Sequence, residues 1–218
     1  MAKAYFLRGE RYLRYDVETD RIDGGYPRPI AVGWAGLADV GFDRDVDTVL
    51  DLGSGTAYLF KGDAYVRVDQ RANRVDGDVG LIADGWAGFA GAGFGDSLDA
   101  SVNWGNGKAY FFRGSDYIRY DIATDRVDEG YPLPIAAHWP GFEAAGVADG
   151  VDAAANLGNG AAYFFSGGAY LRYDLAADAV TEGYPRAIGD LWTGFEEAGF
   201  GLRLDAAWLK LTPAEGVG

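Results

Sequence analysis

The sequence predicts an all-β, four-bladed β-propeller closed into a ring. Three observations predict it: a period near 53 residues repeated four times, strand-like segments separated by Gly turns within each period, and one unit split between the chain ends. The dipeptide Ala-Tyr starts at residues 4, 57, 109 and 162, and an Asp recurs at 47, 99, 152 and 205. A period of this length holding several strands is the signature of propeller blades.

The first strand of each unit is short and rich in small residues. Val46-Asp47-Thr48-Val49, Leu98-Asp99-Ala100-Ser101 and Val151-Asp152-Ala153-Ala154 match one another, and Leu204-Asp205-Ala206-Ala207-Trp208 is the fourth copy. Small side chains suit strands that converge on an axis. Each internal copy leads through Gly53-Ser54-Gly55, Gly105-Asn106-Gly107 or Gly158-Asn159-Gly160, turns that supply the positive φ of tight hairpins. Ala4-Tyr5 has only Met1, Ala2 and Lys3 before it. The segment 203–211 therefore supplies the inner strand of the unit continued by 3–42, and the other units span 43–94, 95–147 and 148–200 of a single 1–218 domain.

The second strand is apolar and aromatic: Tyr5-Phe6-Leu7, Tyr58-Leu59-Phe60, Tyr110-Phe111-Phe112 and Tyr163-Phe164-Phe165. It reads as buried on both faces. The third strand alternates, as in Tyr117-Ile118-Arg119-Tyr120-Asp121, the period-two pattern of a strand. A short outer strand follows at Arg21-Ile22-Asp23, Arg74-Val75-Asp76, Arg126-Val127-Asp128 and Ala179-Val180-Thr181. It ends at Gly25-Tyr26-Pro27, Gly130-Tyr131-Pro132 and Gly183-Tyr184-Pro185, whereas the second unit reads Asp78-Val79-Gly80. Each unit closes on an aromatic turn or one short helix around Trp34, Trp86, Trp139 or Trp192, expected to plug the space between blades.

Composition limits the function classes. The 218 residues include 15% aromatics and 34 Gly, which suits many short strands, and 49% apolar residues, which argues against disorder. There is no cysteine, so neither a disulfide framework nor thiolate chemistry is available. Lys and Arg number 19 against 33 Asp and Glu, a net charge of −14 that repels nucleic acids and anionic membranes and favours cations, polyamines or basic partners. The chain enters repeat sequence at once without an apolar leader, so it acts in the cytoplasm or has lost a signal. No Ser/His/Asp triad or Cys/His pair can be assembled. The Asp43-Arg44-Asp45 run lacks the Gly and terminal Glu of a calcium loop and reads as a solvated turn between blades. The only histidine, His138, reads as a surface or turn residue.

These motifs resemble the hemopexin repeat, and residues 99–142 carry all of them in one unit. The resemblance covers essentially the whole chain and implies a four-bladed propeller with a central channel. It also implies cations, Ca²⁺ or Na⁺, held there by backbone carbonyls at Asp47, Asp99, Asp152 and Asp205. A second ring of channel ligands falls at Val49, Ser101, Ala154 and Ala207, with chloride at neighbouring amides. The residues alone leave a second reading open, in which each Asp caps its strand or pairs with an Arg and the channel is empty or water-filled. Single-domain relatives, including plant seed albumins, suggest a small ligand at the channel mouth. The charge fits a polyamine better than haem, and one histidine per propeller cannot supply the two that serum-type hemopexins use, although a homodimer could. Hemopexin-like domains of metalloproteases and vitronectin-like proteins suggest instead a protein-interaction disc; an enzyme with a propeller pocket has least support.

Overall fold

The computed structural model describes residues 3–210. Four five-stranded antiparallel sheets surround one axis. In blade 2 the strands run Thr48–Asp51, Thr56–Lys61, Ala64–Asp69 and Arg74–Val75 from hub to rim. Blade 3 repeats this order with Ala100–Asn103, Lys108–Arg113, Asp116–Asp121 and Arg126–Val127, and blade 4 with Ala153–Asn156, Ala161–Ser166, Ala169–Asp174 and Ala179–Val180. Blade 1 is the split one. Its inner strand, Ala206–Lys210, pairs antiparallel with Lys3–Arg8 in the register Tyr5↔Trp208 and Leu7↔Ala206. The ring is closed through that joint, and the four inner strands neighbour one another around the axis. Residue 211, expected at the end of this strand, lies outside the described residues.

Two details differ from the sequence reading. Each blade carries a fifth, two-residue strand: Arg28–Pro29, Gly80–Leu81, Leu133–Pro134 or Arg186–Ala187 folds back onto the third strand. Two residues are too few to show any periodicity. The diverged second unit keeps this strand, with Tyr65 opposite Gly80, because backbone pairing does not need the Tyr-Pro side chains. The second strands are also not buried throughout. Phe6, Phe60, Phe111 and Phe164 are fully enclosed, but Tyr58, Tyr110 and Tyr163 are half-buried, and Tyr58 and Tyr163 border hollows on the blade flanks.

The fifth strand runs straight into a four-residue helix whose first residue, Ile30, Ile82, Ile135 or Ile188, is buried. The tryptophan that follows plugs the seam to the next blade. Trp86 packs 5.5 Å from Phe111 and 5.2 Å from Tyr120 in blade 3. Trp139 lies 5.3 Å from Phe164 and 5.4 Å from Tyr173 in blade 4. Trp192 closes the ring, 5.1 Å from Phe6 and 5.2 Å from Tyr15 in blade 1. These tilted and edge-on contacts are the favoured geometries of aromatic pairs.

A backbone clasp at the rim reinforces three of the seams. The Val75 amide donates to the Ala35 carbonyl, Val127 to Ala87 and Val180 to Pro140, each tying a Trp turn to the outer strand of the next blade. The clasp requires the glycine after it. Gly141 has φ +95°, and a Cβ there would stand 2.7 Å from the Val180 Cβ.

Candidate functional site: the acidic mouth of the axial channel

The residue just before each inner strand is an Asp, and the fold brings all four to one end of the axis. Asp47, Asp99, Asp152 and Asp205 line a cavity of about 250 Å³ together with Asp45 and Arg203. Each Asp is held twice. Its amide donates to the second strand, at Phe60, Phe112, Phe165 or Leu7 respectively. One carboxylate oxygen accepts the amide of the glycine in the next hairpin: Gly62 at 2.6 Å, Gly114 at 2.5 Å, Gly167 at 2.7 Å and Gly9 at 2.6 Å. Each Asp thus staples the start of its inner strand to the hairpin joining strands two and three.

The capping reading therefore holds for the side chains. The pairing with arginine holds only at Asp205, where the Arg203 guanidinium stands 3.3 Å away. Burial, opposed by the Gly62 amide and followed by the charges of Asp99 and Asp205, holds the Asp47 carboxyl above its usual range. Crowded carboxylates of one sign raise a pKa in this way.

The expected second ring lies deeper. Val49, Ser101, Ala154 and Ala207 are buried and line a narrower cavity of about 40 Å³ toward the far end of the channel. Sequence reasoning missed a hydroxyl pair there, Ser101 Oγ to Thr48 Oγ1 at 2.9 Å, between neighbouring blades. It also missed Asp45, set aside as part of a solvated turn, which adds its carboxylate to the mouth. Nor did it single out Arg203, the one cation among the mouth residues. Comparing the position two residues before each ring Asp (Asp45, Ser97, Gly150, Arg203) would have exposed both.

The carboxylates of the mouth do not by themselves form a metal centre. Among the described residues no group of three or more His, Cys, Asp or Glu could hold a metal. No amide among them donates to the carbonyl oxygens of Asp47, Asp99, Asp152 or Asp205, so these oxygens remain available. Haem fits poorly. His138 is exposed on the short helix before Trp139, 6.4 Å from the Tyr117 ring, and neither channel cavity is lined by His, Cys, Met or Tyr.

A family model described as Hemopexin matches residues 2–38, 46–90, 98–144 and 151–197, one stretch per blade. The chain belongs to the hemopexin family. Among relatives, this hemopexin-type chain is 31% identical to vitronectin of Homo sapiens over 168 residues, covering 73% of the chain and 31% of vitronectin. It is 25% identical to Albumin-2 of Lathyrus sativus over 209 residues, 89% of the chain and 91% of that protein. The chain spans 23% of the length of matrix metallopeptidase-21 of Danio rerio, to which it is 30% identical. A plant lectin with two metal binding sites from Cicer arietinum shares the fold at a TM-score of 0.80 and 23% identity, over 89% of this chain and 92% of that one.

Proposed function

We propose that this hemopexin domain is a non-enzymatic binding protein whose channel holds Ca²⁺ or Na⁺ and whose mouth takes a polyamine. The observation that carries this reading is the convergence of five carboxylates, those of Asp45, Asp47, Asp99, Asp152 and Asp205, on one 250 Å³ mouth with a single guanidinium. Hard cations prefer oxygen ligands, and the carbonyls of the Asp ring, to which no amide among the described residues donates, are free for that role. The carbonyl ring at Val49, Ser101, Ala154 and Ala207 would hold a second ion, with chloride at adjoining amides. A chain of ammonium groups matches the mouth in charge. The Cicer lectin, described as having two metal binding sites, shares this fold and supports a metal-binding role.

Calorimetric and thermal-shift titrations with CaCl₂ and with spermine test the proposal. A ligand bound only by the folded state adds about 2.7 kcal/mol at a hundredfold excess over Kd, a rise of roughly 5–10 °C in Tm for a chain of this size. Asp99→Asn should weaken spermine while leaving Ca²⁺ largely unaffected, since the metal is held by carbonyls. Absence of saturable binding of both Ca²⁺ and spermine would remove the reading.

A further inference from the structure

The four blades are not equivalent on their flanks, and the difference lies where the second unit has lost its Tyr-Pro. In blades 1, 3 and 4 a tyrosine ring from that motif covers the first tyrosine of the third strand. Tyr26 meets Tyr12 at 5.3 Å and 73°, Tyr131 meets Tyr117 at 5.5 Å and 72°, and Tyr184 meets Tyr170 at 5.4 Å and 70°. An arginine lies over each covering ring: Arg14 at 5.0 Å, Arg119 at 5.2 Å and Arg186 at 5.4 Å. Burial first, with the covering tyrosine as a further cause, pushes Tyr12, Tyr117 and Tyr170 above the usual phenol range.

Blade 2 keeps the walls of this cage without its occupant. Asp78 stands where the others carry tyrosine. Tyr65 is consequently half-buried, whereas Tyr12, Tyr117 and Tyr170 are buried. The hollow over it measures about 280 Å³, against 160 Å³ in blade 1 and 230 Å³ in blade 4, where Tyr26 and Tyr184 form part of the wall. Tyr58, Tyr65 and Trp86 form its aromatic side, Arg67 takes the place of Arg14, and Asp78 and Asp125 supply two carboxylates. Neither the channel nor the family's repeat pattern accounts for this site.

We infer that the blade 2 hollow binds a small phenol bearing a cationic amine, its ring seated where the other blades place tyrosine. The ring would meet Tyr65 edge-on and lie beneath the Arg67 guanidinium, reproducing both contacts made by Tyr26. Its hydroxyl would reach the Tyr65 hydroxyl, and its ammonium the carboxylates of Asp78 and Asp125. Those carboxylates, and the net charge of −14, disfavour a phenolic acid of the same shape. The site shares no residue with the channel mouth, so it stands or falls independently of the proposed channel ligands.

The test is a titration of the full chain with tyramine, followed by calorimetry and by ¹H–¹⁵N correlation spectra. For about ten non-hydrogen atoms, a Kd of roughly 0.1–1 mM is expected, with shifts concentrated at Gly77, Gly85 and the Trp86 indole. Asp78→Tyr refills the cage and should weaken binding at least about tenfold, while Arg67→Ala should weaken it roughly two- to fivefold. 4-Hydroxyphenylacetate should bind more weakly than tyramine. Should Asp78→Tyr fail to fold, Arg67→Ala and the acid carry the test. No shift at about 5 mM tyramine, shifts mapping to the channel, affinity unchanged in the variants, or an acid that binds as well as the amine would each overturn the inference.

Discussion

Removing the closing strand should unfold the whole ring rather than only its first blade. The perturbation is a chain ending at Arg203, compared with one ending at Lys210. Truncation removes Leu204, fully buried, and Trp208, which stacks on Tyr5 at 5.0 Å and tilts against Trp34 at 5.8 Å. Losing a buried Leu costs about 2–5 kcal/mol and a buried Trp about 3–5 kcal/mol. The strand also takes five residue pairings with Lys3–Leu7 and the Asp205 link to the Gly9 amide, each hydrogen bond contributing about 1 kcal/mol. The total, on the order of 10 kcal/mol, matches the entire stability of a typical domain. Urea unfolding followed by far-ultraviolet circular dichroism and tryptophan fluorescence reads the outcome: a cooperative transition for the longer chain and none for the shorter. Trp208→Ala should fall between them, losing about 3–5 kcal/mol. A truncated chain that unfolds cooperatively within about 1 kcal/mol of the longer one would refute the closed-ring argument.

Other expectations follow from the same contacts. Asp47→Asn keeps an acceptor for Gly62 but removes a half-buried charge whose folded pKa is raised. The charge costs stability above that pKa and nothing below the unfolded value of 3.8, so the variant should gain a few degrees of Tm at pH 7 and none near pH 3. Asp121 has the opposite sign: the Lys108 ammonium first, then the Thr124 amide, depress its pKa, so its contribution is present above pH 3.8 and lost on acidification. Lys108→Met should therefore shift the acid-unfolding midpoint upward, measured by circular dichroism across pH 1–5. Gly141→Ala should cost about 1–2 kcal/mol for its backbone and a further 1–3 kcal/mol for collision with Val180. At Gly41, with φ +77° and nothing near a Cβ, the same change should cost only the first amount in urea titrations.

Much of the architecture was legible because it is repeated. Four matching Asp and Ala-Tyr positions fixed the blade number, and the missing strand before Ala4 identified the joint. The two-residue fifth strands were invisible, since their order comes from pairing with Tyr12, Tyr65, Tyr117 and Tyr170 rather than from any pattern of their own. The Asp ring was readable, but the destination of its carboxylates was not. Nothing in the sequence says that the glycine amide fifteen positions after Asp47 is the partner rather than the channel. Arg203 and Asp45 escaped notice because they differ between units, and a repeat comparison rewards sameness. The same habit hides the blade 2 hollow: the loss of a tyrosine at Asp78 reads as decay until its counterparts are seen to be seated rings.

The split blade also sets a timetable for synthesis. Phe6 and Leu7 leave the ribosome about 200 residues ahead of their partner strand, with Gly9 and Asp205 separated by 196 positions. Blades 2, 3 and 4 are contiguous and can form in turn as they emerge. At about 5–20 residues per second, the Tyr5 strand waits on the order of 10–40 s with one edge unpaired. During that interval the nascent chain presents an open, aromatic β-edge to its neighbours, the form most prone to edge-to-edge association on polysomes. Slow translation or crowded expression should therefore lower the yield of this protein through its first blade, before the closing strand is made.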